Sequence, residues 1–264
     1  MRCRILAILA TISLGLVGGA SAADMTPVYK APPAPPPVVD PWTGFYVGVN
    51  GGYSWGPWDS SSVAPIFPGP VGFSGTASPK VNGGLGGIQG GYNWRLDNRW
   101  VAGLEADFQG TGERATTTAA SNLFILVGVT LLQINTTKND EWKFPWFATF
   151  RGRIGALIDP TTLIYLTGGL AVGRFEFSTL TTVTVTGGGG PPSAVSAGFS
   201  ESTTRLGGAV GAGVEKKFTP KWSAKAEFLY LDFGSHVFLG GTGVDTNVRL
   251  HDYVARVGLN YSFN

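Results

Sequence analysis

Cysteine is all but missing: 264 residues hold one, Cys3. It falls in a stretch that reads as an export leader. The mature chain then has no thiol, which excludes disulfides, iron–sulfur clusters and cysteine-based zinc sites. No lipobox cysteine stands at the cleavage point, so lipid anchoring there is not expected. Charge is sparse at 14% of residues, and histidine is limited to His236 and His251. Beyond the leader no apolar run is long enough for a spanning helix. Neither sign of charge dominates. Once Arg2 and Arg4 leave with the leader, 17 basic residues face 17 acidic ones. Nothing global argues for nucleic acid as a partner.

The leader itself is MRCRILAILATISLGLVGGASAAD, with basic Arg2 and Arg4, an apolar run over 5–17 and a small-x-small site at Ala20-Ser21-Ala22. Residues 1–22 are expected to be a cleaved signal peptide. Residues 23–42 follow as a proline-rich segment containing PVYKAPPAPPPVVDPW. Proline removes backbone donors and fixes φ, so this segment cannot join a sheet and reads as an extended tether. It is a plain linker, a periplasmic spacer or a contact with peptidoglycan. Residues 43–264 remain as one domain.

That domain is rich in what the rest lacks. Glycine reaches 40 residues in the whole chain and aromatics 12%. Exported, glycine-rich and aromatic-rich with few charges suits a β-protein, including one of the outer membrane. The stretch GAGVEKKFTPKWSAKAEFLYLDFG poses the period question. A helix would align Trp222, Ala226, Leu229 and Phe233. A strand would set Trp222, Ala224, Ala226, Phe228 and Tyr230 against Ser223, Lys225, Glu227, Leu229 and Leu231. The rest of the chain decides for the strand, because alternation recurs over 44–55, 83–96, 100–110, 146–158, 204–218 and 252–263. Segment 163–175 is apolar on both parities.

Connections alternate in length. Short ones are 97–99, 159–162 and 219–221; long ones are 56–82, 111–145, 176–203 and 233–251. With an even strand count, that rhythm predicts an all-β fold: an eight-stranded antiparallel up-and-down transmembrane β-barrel with short periplasmic turns and long extracellular loops. Such a barrel turns its apolar face to lipid and its polar face to the lumen. Eight strands leave a lumen just wide enough for side chains, so lumen charges must pair. The polar parity supplies Glu105, Asp107, Glu215 and Glu227 against Arg151, Arg153, Lys225 and Arg256. These eight are expected to form an interior charge network that fixes register and seals the barrel. Ion conduction past them is the competing reading. Glu105 and Asp107 also have the spacing of a catalytic carboxylate pair, which a packed lumen without substrate access disfavours. Trp42, Trp55, Trp94, Trp100, Trp146 and Trp222, near strand ends, suit interfacial girdles.

The chain ends RVGLNYSFN. Arg256, Gly258, Tyr261 and Phe263 resemble the signal that the outer-membrane assembly machinery recognises, although many such proteins stop at the aromatic and this one adds Asn264. The opening PVYKAPP…WTGFYVGVNGGYSWG, then GGIQGGYNW, GLEADFQ, FATFRGRIG, LIYLTGGLAVG, GVEKKFTPKWSAKAEFLYLDFG and the terminal RVGLNYSF together resemble the small alphaproteobacterial outer-membrane barrels, the Omp25/Omp31-like outer-membrane immunogenic proteins. The resemblance covers most of the mature chain. It implies an eight-stranded barrel in the Gram-negative outer membrane, an envelope-stability role and exposed loops, with outer-membrane lipid and the assembly machinery as partners. Some members bind haemin, and no motif here carries that over; a narrow porin or haemin-type receptor is the alternative function. A soluble periplasmic barrel is a third.

GGLGGIQGG and TGGGGPP lack the Gly-Lys-Ser/Thr of a phosphate loop. His236 and His251 have no ligand spacing around them. No enzyme, cofactor or metal is expected. Residues 122–135, NLFILVGVTLLQIN, are strongly apolar inside a long connection. They read as a strand extension, a loop hairpin, a partner contact or an extra membrane strand. Residues 179–186, TLTTVTVT, read as a strand continuing outward.

Overall fold

The computed structural model describes residues 41–65, 72–77, 79–238 and 245–263. The leader at 1–22, the proline-rich segment up to residue 40, and Asn264 lie outside the described residues. Ten strand segments follow in order: β1 (Gly44–Pro57), β2 (Asp59–Pro65), β3 (Gly72–Ala77), β4 (Lys80–Arg95), β5 (Trp100–Val127), β6 (Thr130–Asp159), β7 (Thr162–Gly187), β8 (Ser193–Lys217), β9 (Trp222–Phe238) and β10 (Asp245–Ser262). All pairings are antiparallel between neighbours, and β1 pairs with β10 to close the ring.

The ten segments make eight strands. β2 meets β10 in the register that β1 already holds, with Trp55 opposite Tyr253 and Asp59 opposite Arg249. β3 meets β2 in the register of β4 on β1, with Pro57 opposite Lys80 and Ser60 opposite Ala77. The break near Trp58 interrupts the first hairpin without shifting it.

The three short turns lie at one end, capped from their own side chains. The N–H groups of Arg99 and Trp100 donate to Asp97 Oδ1 at 2.6 and 2.8 Å. The Thr161 hydroxyl and N–H both donate to Asp159 Oδ1 at 2.7 Å, which holds that carboxyl down at about 2. Trp222 N–H donates to the Thr219 hydroxyl at 2.9 Å.

A band of exposed apolar side chains girdles the ring above these turns. On β5 it runs Trp100, Leu104, Phe108; on β6 Ile158, Ile154, Phe150; on β9 Trp222 and Phe228; on β10 Leu259 and Val257, with Phe263 just past its end. Its span of nine residues on β5 is the length a tilted strand needs to cross hydrocarbon. Beyond the band the outer face turns polar, with Lys143–Glu141, Arg174–Glu176 and Arg249–Asp232 ion pairs. Trp55, Trp94, Trp100 and Trp222 sit exposed at strand ends, as girdle residues do.

The long connections are mostly strand rather than loop. β5 and β6 reach 28 and 30 residues, so their hairpin stands on the order of 60 Å of strand beyond the band at ~3.4 Å per residue. Residues 122–135 form the tip of that hairpin, ending the ambiguity left by their composition. Residues 179–186 lie in β7, which continues outward to Gly187. Backbone hydrogen bonding explains the difference. Once a hairpin leaves the membrane in register, alternating Thr and Val keep adding ladder bonds.

Phe228 is exposed on the lipid side of β9. Phe228→Arg is expected to destabilise the barrel by about 2–4 kcal/mol in urea unfolding from liposomes; an unchanged midpoint would contradict the outward facing.

Candidate functional site

The interior is layered. At the turn end Trp42 is 1% exposed and packs with Val101, Leu157, Leu163 and Tyr165. Its indole N–H donates to the Pro160 carbonyl at 3.0 Å, and the Lys217 ammonium lies 5.2 Å from its ring. Trp42 is therefore not the interfacial girdle residue its place in the sequence suggests. The residues just before β1 fold back under the ring, and burying an indole there removes more apolar area from water than leaving it at the rim.

Above this lies the ion network. Arg151, fully buried, reaches Glu105 at 2.7 Å, Asp107 at 2.8 Å and Glu227 at 3.0 Å. Arg256 reaches Glu227 at 2.6 Å and Asp107 at 3.0 Å. Lys225 donates to both oxygens of Glu105 at 2.7 and 2.8 Å. Arg153 meets Glu215 at 2.8 Å while its guanidinium lies 4.9 and 5.2 Å from the rings of Tyr46 and Tyr165. All eight side chains singled out by parity are brought together.

Neutral groups complete it. The Tyr46 hydroxyl donates to Glu105 at 2.6 Å, that of Tyr165 to Glu227 at 3.2 Å and that of Thr149 to Asp107 at 2.6 Å. Ser223 and Asn260 both donate to Glu215 Oε1, at 2.5 and 3.0 Å. Asn93 accepts from Arg153, and Gln89 bridges Asn50 and Asn260. Every strand of the closed ring thus sends at least one polar side chain into the layer. The two tyrosines were not foreseen. Each lies flat over an inward glycine, Tyr46 over Gly91 and Tyr165 over Gly213, where a Cβ would stand 2.5–2.6 Å from the phenol oxygen. A glycine on the polar parity opposite an aromatic is the signal that could have found them.

Next come Glu113 and Asp252, both buried, with Ser54 donating to Glu113. Neither acid makes an ion pair among the described residues. Glu113 keeps the inward parity of Glu105 and Asp107, and Asp252 that of Arg256; Glu113 escaped notice because residues 111–145 read as a connection.

The outermost layer corrects the expectation of a polar lumen. Trp58, Trp142, Phe144, Phe147, Phe175, Phe177, Phe233 and Phe238 fill the barrel with Leu229, Leu231, Val248 and Leu250. Phe144 stacks on Phe175 with centroids 4.6 Å apart, and Trp58 meets Phe175 edge-on at 5.4 Å. Here the outside is water, so the ordinary order returns and apolar side chains point in. His236 and His251 take no part in a cluster of ligating residues; His236 lies 3.4 Å from Glu201 and half-buried His251 packs on Tyr253.

Comparison with known proteins agrees with this geometry. The family model described as outer membrane protein beta-barrel domain matches residues 12–263. The 31 kDa outer-membrane immunogenic protein of Brucella melitensis biotype 1 is 32% identical over 97% of this chain and 98% of its own. The 25 kDa outer-membrane immunogenic protein of the same organism is 27% identical over 92% of this chain and 91% of its own. The 22 kDa outer membrane protein of Rhizobium leguminosarum bv. viciae is 28% identical over 74% of this chain and 65% of its own.

Glu105→Gln takes from Lys225 its two short carboxylate contacts, leaving only Glu227 at 3.9 Å, and weakens Arg151, at an expected cost of about 3–5 kcal/mol. Glu113→Gln removes no counter-charge and is expected to cost within about 1 kcal/mol. Urea unfolding of both variants in lipid checks the contrast; equal losses would refute the assignment of distinct layers.

Proposed function

Because the chain belongs to the outer-membrane β-barrel family, that of the Brucella outer-membrane immunogenic proteins, we propose that it is a closed, non-catalytic barrel that reinforces the envelope and displays its hairpins outside the cell. The observation that carries this reading is the unbroken filling of the interior. Trp42 and its neighbours close the turn end, the ion network crosses the middle, and the aromatic layer closes the outer end. A permeating ion would have to displace Arg151 from three carboxylates and then pass eight aromatic rings. An eight-stranded barrel has no spare width for either.

In this reading the ion network serves register and sealing. Sliding one strand by a residue would turn its charges toward lipid and leave the partners unmatched. The carboxylates of Glu105 and Asp107 are each bonded to two or more basic groups, so neither is available as an acid or base.

The terminal strand carries the proposed assembly signal. Arg256 points inward, Gly258 faces Asn50 across the β1–β10 seam, and Tyr261 stands on the outside between Trp222 and Phe263, at 5.1 and 5.3 Å. Before the seam closes, β10 presents this edge to the assembly machinery. Residues 1–22 serve as the export leader. Residues 23–42 serve as a proline-rich spacer, with peptidoglycan as its contact.

The purified protein in planar bilayers is expected to give no stepwise conductance, and titration with haemin no saturable spectral shift. Deleting the gene is expected to raise sensitivity to detergents, restored by the intact chain. Stable ohmic steps from the pure protein would overturn the closed-barrel reading.

A further inference from the structure

The ring stays closed through the membrane and past it, and opens only beyond Arg114 on β5 and Gly208 on β8. β4 accompanies β5 only as far as Asn82 opposite Arg114, and β9 accompanies β8 only as far as Asp232 opposite Gly208. Beyond these points β5, β6, β7 and β8 continue as a single-layer sheet with two outer edges. They differ. The β8 edge carries Glu201 and Arg205 where β9 reaches it, with His236 at 3.4 Å from Glu201 and Arg205 donating to the Ser235 carbonyl at 3.2 Å, and its uncharged outer part is only Ser193 to Ser200. The β5 edge has no strand hydrogen-bonded to it from residue 115 to Val127 among the described residues, and β3, which precedes β4, pairs only with β2.

Proteins blunt free edges with charge, proline or bulges, because a bare row of N–H and C=O groups recruits another strand. The β5 edge has none of these. Residues 115–137 contain no charged residue and no proline. At the tip Leu123, Phe124, Leu126, Val127, Val129 and Leu131 are all at least half exposed, on both faces of the hairpin. Lipid is a poor occupant, since hydrocarbon would leave the unpaired backbone groups of β5 unsatisfied. A strand partner satisfies them. A partner of defined charge would call for complementary charge on this edge, and there is none. A second neutral edge meets it without repulsion.

We infer that this β5 edge, residues 115–127, is a homotypic pairing surface that joins a second copy of the chain standing on an apposed membrane. The direction of β5 selects that arrangement. β5 runs away from its own membrane, so two copies in one membrane would present parallel β5 edges, while copies on facing membranes present antiparallel ones. Antiparallel pairing about a two-fold axis is self-complementary. With Ala115 opposite Val127, Ser121 faces itself and Arg114 faces Gly128, so no like charges meet. The tip side chains Leu123, Phe124 and Leu126 then lie beside Ala119, Thr118 and Thr116 of the second copy, which covers part of the exposed apolar surface.

The test uses the full chain with Cys3→Ser, refolded at low density into two separately tagged vesicle populations. The chain is expected to tether the populations, and Ser121→Cys is expected to give disulfide dimers between them, with Thr116→Cys giving none. Ala120→Lys with Asn122→Lys places lysines opposite one another and is expected to reduce tethering at least tenfold while leaving heat-modifiable gel mobility unchanged. Tethering to protein-free vesicles would identify lipid as the occupant and overturn the inference. Dimers confined within one population, or no tethering by the parent chain, would overturn it equally. Each of these failures leaves the closed-barrel reading standing, since that reading is tested by conductance.

Discussion

The contact on which the rest of the molecule depends is the fully buried guanidinium of Arg151 held against Glu105, Asp107 and Glu227. A charge in a lumen of this width has no water to fall back on, so each member of the network must find its counterpart on another strand. Glu105 and Asp107 come from β5, Arg151 and Arg153 from β6, Glu215 from β8, Lys225 and Glu227 from β9, and Arg256 from β10. Matching them simultaneously leaves one register for the ring. Replacing such a network by apolar packing is often neutral for stability, which makes uniqueness of register the better account of its presence.

Around that layer the solvent outside dictates what lies inside. At the height of Phe228 and Leu259 the outside is hydrocarbon, so polar groups are left to the lumen. Above Trp146 the outside is water, and the lumen becomes a core of Trp142, Phe144, Phe175 and Phe177. One closed sheet therefore obeys two opposite rules along its length. On β9 a single parity passes from Ser223, Lys225 and Glu227 to Leu229, Leu231 and Phe233 as it crosses from one regime to the other.

The layered interior and the long hairpins belong to one barrel that crosses the membrane and projects from it. The aromatic core lets the strands leave the membrane as a rigid barrel before they separate into hairpins. What projects furthest is the uncharged β5–β6 tip, and it projects because β5 and β6 stay paired from Gly110 and Trp146 to Val127 and Thr130 with one bulge between.

The sequence by itself determined the class of fold, the eight crossings, the outward faces of most strands and the membership of the ion network. All of these follow from period two and from the demand that a narrow lumen balance its charges. Only the tertiary structure decided where parity fails. The bulge between Lys143 and Trp146 on β6 moves side chains to the other face, so Phe144 and Phe147 share an interior three residues apart, and a bulge on β9 after Phe233 does the same for Phe238. It also decided the fate of Trp42, folded beneath the ring, and of the connections, which persist as strands. Alternation reports which residues share a face; it does not report where water gives way to lipid, and that boundary sets which face is buried.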